Sequence, residues 1–280
     1  MYNRPTSVDS GPEMSEKSGP LFERLVKIMA TLRAPGGCPW DREQTRESLK
    51  PFLIEEAYEV LEALDHGGKE KLQEELGDLL LQVIFHAQVA AELGEFTVDE
   101  VLENVVDKLL RRHPHVFGET RAETAQEVLS NWERLKQAER GGVSESSVLS
   151  GVPKTMPALL RAQRLQDKAS RVGFDWGETS EVLHKVEEEL HELKAATVEE
   201  PEATEAEMGD LLFTVVNLAR FLHVSAEEAL RKSIEKFTRR FRHVESVLAE
   251  QGKSLEESSL EEMDALWRDA KIGEDVGGGR

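Results

Sequence analysis

The segment 205-EAEMGDLLFTVVNLA-219 opens with acids and then runs almost unbroken apolar. Its spacing is helical, and residues three or four apart on a helix share a face. Glu207 and Asp210 therefore project together. The same face continues as Phe213, Asn217 and Phe221, which reads as buried. A second segment, 73-QEELGDLLLQVIFHA-87, repeats these words with Glu75 and Asp78, and its face continues as Leu81, Phe85 and Val89. Two helices that read as core-facing thus each carry a pair of carboxylates to the edge of a core.

The repetition extends outward from these segments. Glu55-Glu56-x-x-Glu59 precedes the first and Glu188-Glu189-x-x-Glu192 the second. Glu59 to Glu75 is 16 residues and Glu192 to Glu207 is 15. Downstream lie Lys108, Arg111, Arg112 and Trp132 in one copy, and Lys236, Arg239, Arg240 and Trp267 in the other. Trp40-Asp41 and Asp175-Trp176 stand ahead of the two copies. This is a tandem repeat of one helical unit. Common ancestry alone accounts for shared apolar positions better than for shared acids and bases.

Apolar periodicity predicts helices near 20–33, 46–65, 69–93, 98–112, 123–139, 158–170, 180–196, 203–222, 226–250 and 257–270. No alternating strand pattern stands out, so the fold class is all-α. Thr97 and Ser225 have capping-box spacing to Glu100 and Glu228. The Gly-, Ser- and Pro-rich stretch around 140–157 reads as a linker between domains at 20–139 and 158–270. Residues 1–19 and 271–280 read as disordered tails.

The 280 residues carry a net charge of −20, with 39% hydrophobic and 32% charged side chains. So acidic a surface repels a nucleic-acid backbone, and nucleic acid is not an expected partner. No apolar run reaches membrane-spanning length. The polar N-terminus has no signal-peptide core, and the single cysteine, Cys38, permits no internal disulfide. These features suggest a cytoplasmic protein.

An EExxE motif alone usually marks a solvated face. Ile54, Ala57, Tyr58, Leu61 and Leu64 form the apolar stripe of the first such helix, away from Glu55, Glu59 and Glu62. The second acidic pair changes the balance. An ionised carboxylate at the edge of a core costs several kcal/mol unless paired, and clustered carboxylates repel. A divalent cation relieves both costs, and all-oxygen ligation suits Mg²⁺ or Mn²⁺. Gly77 and Gly209 would let a neighbouring helix backbone approach, or serve packing alone. Lys236, Arg239 and Arg240 are ordinarily partners for acids, yet they recur with the acid sets and could grip phosphate. Trp132 or Trp267 could stack on a base. Such a kit suits a nucleoside triphosphate, with a neighbouring Glu taking a proton from water.

These residues resemble the MazG family of nucleoside triphosphate pyrophosphohydrolases. The carriers are GCPWDREQT, EEAYEVLEAL, ELGDLLLQV, RRHPHVFGE, GFDW, EMGDLLFTVVNLAR and EKFTRRFRHVE. The resemblance implies an all-α NTP-pyrophosphatase fold that assembles as a homodimer. It also implies Mg²⁺-dependent hydrolysis of NTPs or dNTPs to monophosphate and pyrophosphate, in nucleotide-pool housecleaning. Carried across, the catalytic metal ligands are Glu189, Glu192, Glu207 and Asp210. Lys185, Glu188, Asn217, Lys236, Arg239, Arg240 and Trp267 would hold the nucleotide. The C-terminal half is the catalytic one by this resemblance. The N-terminal half keeps Glu56, Glu59, Glu75 and Asp78 as a second metal set but has Phe85 in place of Asn217.

Two rivals compete. Glu181-x-x-His184 and Glu188-x-x-His191 have di-iron ExxH spacing, but both lie on one helix where such centres use two. An acidic helical adaptor would bind proteins and turn over nothing. Three lesser signals have plainer readings. Gly252-Lys253-Ser254 lacks the strand context of a P-loop. Cys38 has no repeat partner, and His113-Pro114-His115 reads as a helix stop.

Overall fold

The computed structural model describes residues 16–118, 120, 121, 124, 127, 128, 131 and 147–277, without the side chains of Glu199 and 274–277. Among the described residues every regular element is helical. Cα proximity divides the chain into two compact units, Met1–Val143 and Ser144–Arg280. Of the expected helix at 123–139, Glu127, Val128 and Asn131 are described and helical, while most of the rest, Trp132 included, lies outside the described residues.

The first unit comprises α1 (Ser18–Arg33), α2 (Pro39–Glu43), α3 (Arg46–His66), α4 (Lys69–Glu92), α5 (Val98–Arg112) and α6 (Pro114–Phe117). α3 and α4 form its central antiparallel pair, with α1 laid on α4. Met29, Leu49, Ile84, Phe85 and Val89 make the core, joined by Phe22, Leu25 and Phe52. Burying side chains of this size contributes about 1.5–3 kcal/mol each. The Thr97 capping box forms: Glu100 N–H donates to the Thr97 hydroxyl, and the Thr97 N–H donates to the Glu100 carboxylate at 2.8 Å. Thr45 and Ser48 make another at the start of α3.

The second unit comprises α7 (Ala158–Ser170), α8 (Thr179–Glu199), a 3₁₀ turn (Pro201–Ala203), α9 (Thr204–Phe221), α10 (Ala226–Glu250) and α11 (Leu260–Gly277). Here α8 and α9 form the central pair, α7 packs on α9 and α10, and α11 on α10. Its core holds Val182, Leu193, Ala196, Val216, Val244 and Leu248. Ser225 caps α10 by accepting from Glu228 N–H at 3.3 Å, but Glu228 turns its carboxylate to Arg231 instead of completing a box. α11 continues to Gly277, past the 270 expected.

Several faces that read as buried point outward. Ile54, Tyr58, Leu61 and Leu64 on α3 are exposed, as are Leu76, Leu80 and Val83 on α4. In the second unit Phe213 is 47% exposed, and Met208, Leu212 and Val215 are open too. Periodicity identifies residues that share a face; it does not say what covers that face. Nor does a close helix approach explain the two glycines beside the acids, because a Cβ at Gly77 or Gly209 would meet nothing within 4 Å.

Candidate functional site

In each unit the central helix pair brings carboxylates together. Oxygens of Glu189, Glu207 and Asp210 all lie within 4.8 Å of one another, and so do those of Glu56, Glu75 and Asp78. The geometry follows from the spacing: i and i+3 on the second helix of the pair face one Glu on the first. Glu189 is only 5% exposed and Glu75 2%. Both sit in the helix seam, where an ionised group must be compensated.

Each cluster has one lysine, supplied from a different helix. Lys185 donates to Glu188 and to Glu189 at 2.8 Å each, all on α8. The two carboxylates hold its ammonium pKa well above the ordinary range. In the first unit Lys71 of α4 pairs with Glu75, and its pKa is raised by that contact. One lysine does not neutralise three or four acids, and the residual repulsion is visible. Burial, then Glu192, Asp210 and Glu189, push the Glu207 carboxyl above its ordinary 4.5. Glu75 does the same to Glu59, helped by burial, Glu56 and Glu55. Glu192 and Glu59 therefore lie close to their clusters, though the mutual 4.8 Å sets comprise the other three acids.

The two units differ beside the acids. In the second, a cleft of about 680 Å³ runs from Lys185, Glu189 and Asp210 past Phe213 to Asn217, Arg220 and the loop Gly173–Trp176. Phe213 is open because it lines this cleft, which is why the face of α9 is not core. In the first unit Phe85 stands at the position of Asn217, is 3% exposed, and fills the core with the Arg33 guanidinium 5.4 Å from its ring. The same repeat position is thus cleft wall in one unit and core in the other.

Among the residues expected to bind nucleotide, Lys185 and Asn217 line the cleft and Glu188 pairs with Lys185. Lys236, Arg239, Arg240 and Trp267 do not line it. Arg240 lies over the Trp267 ring at 5.7 Å, and Trp267 packs on Phe237. Sequence reasoning missed Gln166, Phe174 and Arg220. The Asp175-Trp176 dipeptide flagged the loop, but nothing local reveals that Arg220 grips Asp175 across 45 residues.

The rival signals resolve into ordinary structure. Glu181 caps the start of α8 by accepting from Gly177 and Glu178 N–H groups, and His184 and His191 are exposed, so the ExxH pairs build no centre. Gly252 ends α10 with φ 72°, and Lys253 pairs with Glu262 at 2.7 Å. His113 Nδ1 bonds the Leu109 carbonyl at 2.8 Å at the end of α5.

The model of the MazG nucleotide pyrophosphohydrolase domain matches residues 44–117 and again 175–245, one copy spanning each acid cluster. The chain belongs to the MazG family. The nucleoside triphosphate pyrophosphohydrolase/pyrophosphatase MazG of Thermotoga maritima is 48% identical over 261 residues, covering 93% of this chain and all of that protein. The nucleoside triphosphate pyrophosphohydrolase of Escherichia coli K12 is 46% identical over 255 residues, 89% of this chain and 97% of that protein. The Bacillus subtilis protein YabN is 48% identical over 252 residues, 89% of this chain and 51% of its own length. The tandem repeat read from the sequence is therefore two MazG domains in one chain.

Proposed function

We propose that the protein hydrolyses nucleoside triphosphates, NTPs or dNTPs, to the monophosphate and pyrophosphate, and that the second unit is the catalytic one. The single observation that carries this reading is a three-carboxylate cluster, anchored on the buried Glu189, that opens onto a cleft in that unit. Family membership supports the reaction class. It also supports a housecleaning role on the nucleotide pool.

The donor set fits a hard divalent cation. Three carboxylates within 4.8 Å, one of them buried, offer only oxygen, which suits Mg²⁺, with Mn²⁺ as substitute. Glu189, Glu207 and Asp210 would hold it, with Glu192 beside them. A cation there would neutralise the acids and polarise a phosphoryl oxygen. The chain's own groups do the rest. Lys185, held fully protonated by Glu188 and Glu189, places a fixed positive charge at the phosphate end of the cleft. Glu192, exposed next to Glu207, accepts the proton of the attacking water. The bond that breaks lies between the α- and β-phosphates.

Lys236, Arg239, Arg240 and Trp267 remain a proposed nucleotide-contacting set, brought to the cleft by assembly. The same helix α10 exposes Leu230, Ile234 and Phe237 as an apolar stripe. Stripes this large are uncommon on a lone chain. We assign the covering partner as a second copy, making a homodimer. The first unit's set, Glu56, Glu59, Glu75 and Asp78, is proposed to bind a cation without turning over nucleotide, because Phe85 closes the place of Asn217. Domains at 20–139 and 158–270 with a linker at 140–157 are part of the proposal, supported by two compact units and by one family match in each. No described helix is long and apolar enough to cross a membrane, and a cytoplasmic location is part of the proposal.

The test is a panel of NTPs and dNTPs with Mg²⁺, followed by ³¹P NMR. Monophosphate and pyrophosphate are expected. Diphosphate with orthophosphate would overturn the cleavage position, and no turnover would overturn the function.

A further inference from the structure

The cleft has a second polar end, remote in sequence from the acids. Gly173, with φ 87°, terminates α7. Gly173 N–H donates to the Ser170 carbonyl and Phe174 N–H to that of Ala169, the paired bonds of a Schellman turn. This reversal sends Phe174, Asp175 and Trp176 along the cleft mouth. Phe174 is 82% exposed, an unusual position for a large aromatic.

Asp175 is pinned by Arg220 of α9. Arg220 donates to both its oxygens, through Nη1 at 3.0 Å and through Nη2. The same guanidinium turns inward to Asn217. Its Nε donates to Asn217 Oδ1 at 3.0 Å and its Nη2 at 2.8 Å. Arginine only donates, so the amide atom facing it must be the oxygen. The ambiguity of amide orientation is thereby removed. Asn217 Nδ2, with two N–H groups and no partner among the described residues, is left as a fixed donor on a cleft-lining residue.

Gln166 of α7, which also lines the cleft, is held the opposite way. Its Nε2 donates to the Phe213 carbonyl at 2.9 Å, so its Oε1 is a fixed acceptor. The side chain is 7% exposed, and Oε1 has no hydrogen-bond partner. A buried orphan of this kind costs about 1–3 kcal/mol, which is otherwise avoided.

We propose that this end of the cleft takes the nucleobase: Asn217 Nδ2 donates to, and Gln166 Oε1 accepts from, one edge of the base, beside the rings of Phe174 and Trp176. Every nucleobase carries an acceptor next to an N–H donor on one edge, so the pair recognises a base without requiring a single one. Aromatic faces suit any base. Arg220 and Asp175 are positioning residues: they fix the amide orientation and anchor the aromatic loop. This inference rests on the function proposed above; it gives Asn217, expected to hold the nucleotide, the base as its contact, and adds Gln166, Arg220 and the Phe174–Trp176 loop.

The test compares competitive inhibition by a nucleoside monophosphate and by inorganic tripolyphosphate, alongside turnover of the NTP. Asn217→Ala is expected to raise KM for the NTP and Ki for the monophosphate about tenfold, equivalent to about 1.4 kcal/mol. Ki for tripolyphosphate and kcat should stay within about twofold. Arg220→Lys, which keeps the charge but loses the fork, should give the same split and add nothing in the Asn217→Ala background. Gln166→Glu keeps the acceptor but loses the amide that holds Phe213, and its KM should rise without loss of kcat. Equal weakening of both inhibitors, or unchanged KM in all three variants, would overturn the inference. Absence of NTP turnover by the unaltered protein would instead overturn the function on which it rests.

Discussion

Replacing Glu189 by glutamine removes one charge from the second cluster while keeping the side chain's volume in the helix seam. Lys185 retains Glu188 at 2.8 Å. Glu189 also contributes to the repulsion that raises the Glu207 pKa, and that repulsion is relieved. The metal-free protein should therefore lose no more than about 1 kcal/mol, or about 2–4 °C in Tm for a unit of this size. The response to Mg²⁺ should change far more. At a concentration 100 times Kd, a bound ion stabilises by about 2.7 kcal/mol, about 5–10 °C. If losing one carboxylate weakens binding about 100-fold, the same concentration equals Kd and stabilises by only about 0.4 kcal/mol, near 1 °C. Pyrophosphate release should fall at least about 100-fold. The assays are thermal melts with and without Mg²⁺ and a coupled pyrophosphate assay. Near-normal turnover with a full Mg²⁺ shift would refute the ligand assignment. A metal-free Tm lower by about 10 °C or more would make Glu189 a structural residue.

Other outcomes follow from the same structure. Glu59 and Glu207 have folded pKa values above the ordinary 4.5, so between those values the folded protein holds more protons and stability falls as pH rises. Melts in EDTA above pH 4.5 should show that decline, and Glu59→Gln with Glu207→Gln should flatten it. His86, whose pKa burial and Arg46 lower from 6.5, contributes the opposite slope below 6.5 and is untouched by those changes. Phe85→Ala should cost the first unit about 3–5 kcal/mol in chemical denaturation while leaving the second unit's cleft unaltered. Glu75→Gln should lower the number of Mn²⁺ bound per chain, counted by EPR, with pyrophosphate release retained; loss of turnover would place catalysis in the wrong half. Ile234→Asp, on the exposed stripe of α10, should convert a dimer to a monomer in analytical ultracentrifugation; an unchanged dimer would place the interface elsewhere.

The acid clusters were readable because a helix fixes which residues share a face. Glu207 with Asp210 and Glu75 with Asp78 could hardly point apart. What covers a face is a tertiary fact. Ile54, Tyr58 and Leu61 have the spacing of core residues and stand exposed, while Glu56, on the polar side of that stripe, enters the α3–α4 seam. Phe213 and Phe85 occupy similar faces of equivalent helices, yet one lines a cleft and the other fills a core. The exchange of Asn217 for Phe85 was the visible trace of that difference. Arg220 carried no local signal, since its meaning lies in a guanidinium bridging Asp175 and Asn217. The bases of α10 recur with the acids in sequence but do not reach the cleft within one chain.

The most direct measurement is a crystal structure with Mn²⁺ and an NTP analogue whose α–β bridge resists hydrolysis, with anomalous scattering used to locate the ion. An anomalous peak among Glu189, Glu207 and Asp210, with the triphosphate against it and the base at Asn217, is the predicted result. A peak confined to the first unit, or a nucleotide bound away from both acid clusters, would contradict the account.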